Sequence, residues 1–593
     1  MIEDLSMIRG ATPRTYVQVT FPDGTLLEAP VGTSLEAYVH VYERQQATDG
    51  ALTVAAIVDG SLRELTMPVT RDVCVELVRT DSGDGGRIYR RSLAFLLTVA
   101  AAELFPGVQV IVDYALPSGA FFCKVRGRPP FTLDELEAIK ARMREIVVAC
   151  DPITRHRIPL GEARRMFEEC GDDDKVRLLE FRQKDYLTVY KLRGEADYFY
   201  GYMVPHTGYL TLFNVLPEDD GFILQYPRRE SPNIIRPHTQ SPQLTEVFRQ
   251  TEEWLMLLGV EDIGHLNQAI RDGRAHELVL VNEALHEQHI ADIAGRISLR
   301  HREGLRIVLI AGPSSSGKTT FSKRLAVQLM AHGLHPYTLE MDRYFVERHL
   351  TPRDETGEYD FEALEAVDLA LFNEQLLALT AGEPLHIPHY DFKTGLRTFE
   401  KGTVTLSKDQ ILIIEGIHGL NPRLVQSLPT ERLYRVYVSA LTQVNIDRHN
   451  RVPTTDVRLI RRIVRDARTR GYSALETLSR WESVRRGEKR NIFPYQENAD
   501  VMFNSALLYE LAVLRPLAEP LLLQIEPRQP HYIEARRLLS ILAWLTPMEA
   551  SLVPDNSLLR EFTGGSILRD YVPGALMPTQ RAQGGPLRPA KGR

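Results

Sequence analysis

Gly312-Pro313-Ser314-Ser315-Ser316-Gly317-Lys318-Thr319-Thr320 places two glycines with four residues between them and follows them with Lys and Thr. Glycines at that spacing let successive backbone N–H groups turn toward one centre, which suits phosphate oxygens. Lys318 would reach the outer phosphates of a nucleotide, and the Thr319 hydroxyl would hold Mg²⁺. Asp342, in MDRYF, offers a carboxylate that could take or orient the proton of an acceptor hydroxyl; an N-cap aspartate is the plainer alternative. Glu415 closes the apolar run ILIIE, a position that holds Mg²⁺ directly or through water. Residues 451–490 carry eleven Arg, one Lys and five acidic residues. Within them Arg458, Arg461 and Arg465 recur at helical spacing and share a face. Such a cluster could close over a transferring phosphoryl group, bind RNA, or face solvent. Tyr390, Phe392 and Arg397 mix aromatic and polar groups in a way that suits a sugar or base pocket, or the packing of a loop. His286, Glu287 and His289 share a helix with ligand-like spacing and read as a solvated face.

These residues need elements to hold them. RIVLIA is an apolar run of strand length, and FSKRLAVQLMAHG has helical periodicity, so the glycine loop has a strand before it and a helix after it. A second strand ends near Asp342. One βα unit after the loop, that position lies at the crevice where open α/β sheets bind ligands. EYDFEALEAVDLALFNEQLLALTAG predicts a helix of about 20 residues ending at Gly382. QILIIE and RLYRVYVSA predict further strands. The fold class expected is multidomain α/β: a parallel sheet with flanking helices, preceded by a β-grasp module and an α+β domain.

At 593 residues the chain exceeds one core, and 44% hydrophobic with 25% charged residues is an ordinary globular composition. A net charge of −7 gives no global case for nucleic acid or an anionic membrane. No apolar run reaches about 20 residues, and the N-terminus lacks a basic start with an apolar core, so no membrane span or secretory signal is expected. Cys74, Cys123, Cys150 and Cys170 are widely spaced and read as reduced thiols in a cytoplasmic protein.

Residues 14–80 read as strands, a short helix opened by Ser34, and more strands, in β-grasp order. TDSGDGGR reads as a linker. Residues 88–215 read as a helix, a hairpin and a second helix opened by Thr132 with Glu135 at capping-box spacing. Residues 216–299 connect to the 300–505 domain. Residues 506–572 form a helical extension interrupted by Pro516 and Pro520, and 573–593 a disordered Pro/Gly-rich tail. VPDNSLLREFTGGS, within 553–566, is a distinct motif without a mechanism at this level.

GPSSSGKTT, MDRYF, YDFEALEAVD, PHYDFKTGLR, IIEGIHGL and RLIRRIVRDARTRG, in this order, resemble the uridine kinase and phosphoribulokinase family of P-loop enzymes. The two N-terminal domains resemble the TGS and editing domains of threonyl-tRNA synthetases, and the combination resembles uridine kinase-like proteins fused to such modules. The resemblance implies ATP and Mg²⁺ as cofactors, with ATP on 312–320 and Mg²⁺ on Thr319 and Glu415. It assigns catalytic roles to Lys318, Asp342, Arg461 and Arg465. It sets Tyr344, Tyr390, Phe392, Arg397 and Arg458 beside a small-molecule acceptor, a nucleoside first. The alternative is an RNA-associated regulatory ATP-binding protein whose N-terminal half binds tRNA or a regulatory ligand; a homo-oligomer is a further expectation. Two departures matter. Uridine kinases carry a base-side histidine where this chain has Gly395. The editing histidines and cysteine are Arg91, Phe95 and Tyr202 here, leaving only His206, so the second domain reads as a scaffold without editing chemistry.

Overall fold

The computed structural model describes residues 13–46, 50–355, 357–442 and 444–573. The expected tail, apart from residue 573, and the first twelve residues lie outside that range. Alternating apolar residues form β1 (Tyr16–Thr20) and β2 (Leu26–Pro30), followed by α1 (Leu35–Gln45), which Ser34 caps. β3 (Thr53–Val58), β4 (Ser61–Glu64) and β5 (Val73–Arg79) complete a mixed sheet of order β2-β1-β5-β3-β4, a β-grasp.

The glycine-rich stretch expected as a linker is instead the first turn of α2 (Gly83–Leu104), capped by Ser82. Gly85 is required there because a Cβ would overlap the Arg79 carbonyl. β6 (Gln109–Leu116) and β7 (Ala120–Arg126) form the hairpin, and α3 (Leu133–Ala149) carries the Thr132–Glu135 capping box. β8 (Thr154–Pro159), α4 (Leu160–Cys170), α5 (Asp173–Leu179), β9 (Tyr186–Leu192), β10 (Glu195–Tyr198), β11 (Asn214–Glu218) and β12 (Gly221–Gln225) follow. β11 and β12 join the hairpin in an antiparallel sheet β11-β12-β7-β6, so this unit runs through Gln225 and past the boundary expected at 215.

Helices α6 (Pro242–Leu258), α7 (Ile263–Arg271) and α8 (Ala275–Arg302) lead to β13 (Ile307–Ala311), every residue of which is buried. The glycine loop and α9 (Lys318–Ala331) come next, then β14 (His335–Glu340), α10 (Leu369–Ala381), the hairpin β15 (Leu385–Asp391) and β16 (Leu396–Val404), β17 (Gln410–Glu415), β18 (Leu433–Ser439), α11 (Thr454–Arg470), α12 (Ala474–Asn491) and β19 (Val501–Asn504). The sheet order is β14-β17-β13-β18-β19, and every pairing is parallel. A parallel sheet brings the C-terminal ends of its strands to one edge, so the glycine loop, Asp342 and Glu415 meet there by topology alone.

α13 (Glu510–Leu523), α14 (Tyr532–Leu542) and the one-turn α15 (Arg560–Thr563) close the chain. α13 stays continuous through Pro516 and Pro520. Its buried face from Leu511 to Leu514 shares one core with Val308, Ile310 and Val436, and that packing offsets the lost helix bonds. The C-terminal helices are therefore part of the sheet domain rather than an appendage.

Candidate active site

The loop between β13 and α9 is held in an uncommon backbone path. Ser315 has φ +58° and Gly317 φ +85°. A Cβ at Gly312 would overlap the Val438 carbonyl of the neighbouring strand. The N–H groups of Ser315, Gly317, Lys318 and Thr319 have no acceptor among the described residues, and the hydroxyls of Ser315 and Ser316 are buried without partners. Orphan donors at the start of a 14-residue helix form an anion cradle. Lys318 Nζ donates to the Pro313 carbonyl at 3.3 Å, folded across the loop.

Three carboxylates gather around this lysine. Glu415 lies in register with Ile310 and Glu340 on the two neighbouring strands. The Thr319 hydroxyl donates to Glu415 Oε1 at 2.8 Å, while Glu415 Oε2 is buried without a partner. Burial pushes the Glu415 carboxyl up to about 7, against the pull of Lys318 and Thr319. Asp342 follows β14 in a short 3₁₀ turn and reaches solvent, yet protein surrounds it closely. That desolvation raises it to about 6, with Lys318 opposing and Glu340 adding. Glu362 is the third. Burial and the Glu488 charge raise it to about 7, while Lys318 and Arg462 oppose and Asp342 adds. Sequence reasoning missed Glu362 because a helix of about 20 residues ending at Gly382 takes in that position. That helix starts only at Leu369, capped by Asp368, and the preceding loop delivers Glu362 to the lysine. The Asp368 cap, three residues before Leu371 N–H, was the available signal.

The divalent cation that the resemblance implies fits this donor set. Thr319 Oγ1 and the unpartnered Glu415 Oε2 would hold it, and both are hard oxygen donors.

The arginines do not form the expected lid. Arg458 and Arg461 are 1% and 0% exposed. Arg458 forms a two-pronged pair with Glu488, its Nη2 2.8 Å from Oε2, and donates to the Ser314 carbonyl at 3.0 Å. Glu488 Oε1 in turn accepts from Ser314 N–H. Arg461 pairs with Glu510 and donates to the Ser505 and Ser315 carbonyls. Arg465 pairs with Asp466 at 2.9 Å. Arg462, not singled out from sequence, donates to Ser314 Oγ at 2.8 Å. The cluster braces the loop, and α11, which carries it, packs against α12, α13 and α15.

On the acceptor side Tyr344 is corrected as well. It is 0% exposed, its hydroxyl donates to Gln375 at 2.9 Å, and it belongs to the core. Tyr390 is buried with an unpartnered hydroxyl, Phe392 is exposed and meets Tyr390 edge-on, and Arg397 pairs with Asp368 at 2.9 Å. Gly395 has φ +75° in the tight turn between β15 and β16, and a Cβ would press on the Arg348 side chain. Turn geometry and Arg348 together explain why no histidine stands there.

In the second domain, Arg91 donates to the Tyr202 carbonyl at 2.7 Å and lies over the Tyr200 ring, against Gly201. Phe95 is core. His206 Nδ1 accepts from Gly208 N–H at 3.2 Å, a local cap. On α8, His286 is buried and bonded to the Ala506 carbonyl at 3.1 Å, and Glu287 pairs with Arg324, so that face is packed rather than solvated.

Residues 307–508 match the profile described as the Phosphoribulokinase / Uridine kinase family. The N-terminal part is similar to threonine–tRNA ligases: 31% identity over 204 residues with that of Burkholderia lata, and 35% over 164 residues with that of Nitratidesulfovibrio vulgaris. Those matches cover 34% and 28% of this chain, and the chain spans 31% and 25% of those relatives' lengths. A solved chain described as a "possible uridine kinase" from Bacillus stearothermophilus is 21% identical, with a TM-score of 0.24, covering 36% of this chain and 99% of that one. The chain thus joins a uridine kinase/phosphoribulokinase-type segment to a threonyl-tRNA synthetase-like N-terminal region.

Proposed function

We propose that the protein transfers a phosphoryl group from ATP to a hydroxyl of a small molecule, a nucleoside being the first candidate. The observation that carries this reading is the convergence on Lys318, the first residue of α9 in the anion cradle, whose charge acts on both Asp342 and Glu362. In this reading the loop N–H groups and Lys318 hold the donor phosphates. Bound at Thr319 and Glu415, Mg²⁺ would supply neutralisation of phosphate charge. Asp342 accepts the acceptor's proton, and Glu362 orients its hydroxyls. Phe392, exposed at the hairpin tip, offers an aromatic face to a base or sugar. The half-buried, ion-paired Arg397 is a weaker contact, and the absence of a side chain at Gly395 leaves base identity open to other nucleosides or hydroxyl compounds.

A second reading is favoured by the threonine–tRNA ligase similarity: a regulatory protein in which the nucleotide site is a switch and the TGS-like and editing-like domains bind RNA or a regulatory ligand. One assay separates the two. ATP consumption across a panel of nucleosides should reveal an acceptor, and Lys318→Ala should abolish that turnover while leaving the thermal transition in place. A chain that binds nucleotide but consumes ATP with no acceptor belongs to the second reading.

A further inference from the structure

The motif between 553 and 566 is packed onto the nucleotide loop. Leu558, Leu559 and Phe562 are fully buried. A Cβ at Gly317 would overlap the Leu558 side chain, so the loop's second glycine is also needed for this contact. Arg468 donates to the Glu561 and Phe562 carbonyls, the Arg461 guanidinium lies over the Phe562 ring, and Ser557 donates to Glu283. Farther along, Lys323 on α9 donates to the carbonyls of Leu568 and Arg569 at 2.7 and 2.9 Å.

This packing aims one charged group at the cradle. Glu561 Oε2 accepts from the Thr320 hydroxyl at 2.8 Å and from Thr320 N–H at 3.4 Å. Thr320 is the third residue of α9, so its N–H is one of the helix's end donors. The backbone N–H groups of Ser315, Gly317, Lys318 and Thr319 have no acceptor among the described residues, whereas Thr320 spends both its N–H and its hydroxyl on a carboxylate. The Glu561 charge also reaches the cation position, since it pushes the Glu415 carboxyl upward.

We infer that Glu561 is an intramolecular stand-in for a phosphate, and that a nucleotide's phosphates must displace it to use the whole cradle. A carboxylate and a phosphate oxygen compete for the same donors and repel each other at this distance. Nucleotide affinity is therefore reduced by the fraction of molecules in which Glu561 holds Thr320. The C-terminal motif sets that fraction, which gives it a role in the site rather than in bulk stability alone. This inference rests on the loop being a nucleotide site.

The test is the affinity of the full chain for Mg-ADP, by calorimetry, in the native protein, Glu561→Gln and Lys318→Ala. Removing the charge while keeping the shape should tighten binding by about tenfold or more. Unchanged or weaker binding by folded Glu561→Gln overturns the inference, as does binding by neither protein. Undiminished binding by Lys318→Ala would instead overturn the nucleotide-site reading. Hydrogen exchange of residues 557–569 in the native protein gives a measurement independent of any variant. Saturating Mg-ADP should speed exchange there as Glu561 lets go of Thr320, and unchanged or increased protection counts against displacement.

Discussion

Asp342 shows how a single carboxylate is tuned here by opposed effects. Desolvation lifts it to about 6, and Lys318 keeps it from rising further. A base must be unprotonated to accept a proton, so activity should fall as pH drops through about 6, by up to about tenfold per pH unit. Asp342→Asn should lower kcat by about 10²–10⁴-fold with nucleotide affinity retained and the acid limb near 6 removed. A pH–rate profile for the variant that keeps this limb would assign it to another group. Glu415, raised to about 7, adds a separate effect: below that pH a cation bound there would have to displace a proton, so the Mg²⁺ concentration needed for half-maximal turnover in the proposed reaction should rise on acidification. Lys318, Thr319, Asp342 and Glu415 were legible in the sequence because each occupies a position fixed by its strand or loop. Glu362 was not, because it sits on an irregular segment whose path only the folded cleft defines.

The elements explain what periodicity could and could not tell. The strands and the glycine loop were readable because buried parallel strands are continuous apolar runs. Helical spacing put Arg458, Arg461 and Arg465 on one face, but it carries no information on which face packs inward. Here α13 covers α11, and Glu488 and Glu510, supplied by α12 and α13, neutralise the arginines beneath the loop. A buried pair costs more to break than an exposed lid residue does to remove. Arg458→Ala leaves the buried Glu488 with Arg485 at 3.1 Å and Ser314 N–H as its remaining partners, which should destabilise the fold by about 1–3 kcal/mol and lower the melting temperature. A lid arginine would give the reverse pattern: lost kcat and an unmoved melting temperature. Tyr344 was misread for the same reason as the arginines, since a residue type that suits a pocket also suits a core.

At the scale of the whole molecule, the two halves meet through the segment between β18 and α11. Arg448 bonds Asp172 at 2.9 Å and Asp174 at 2.6 Å, and its backbone carbonyl accepts from Val112 N–H at 2.8 Å. His449 joins Asp197 at 2.6 Å and the Val110 carbonyl at 3.0 Å, with Lys175 closing the network onto Asp197. Asn450 and Arg451 donate to the Tyr198 and Asp113 carbonyls. Residues 445–451 thus run along the synthetase-like domain immediately before α11, the helix whose arginines brace the loop. No sequence pattern announces such a contact, because its partners lie more than two hundred residues apart and each charge alone reads as surface. Desolvated charges paired across an interface couple the units they join, so denaturant should unfold the chain's two halves together. In Arg448→Ala, Asp172 and Asp174 lose the guanidinium and keep Lys175 at 3.6 Å and the backbone N–H of residue 448, at a cost of about 1–3 kcal/mol that falls on the interface rather than on either core. Unfolding followed by intrinsic fluorescence should then split into two transitions. If the variant keeps one transition with a lowered midpoint, the apolar core shared by residues of both halves is what couples them, and the charged network only adds to it.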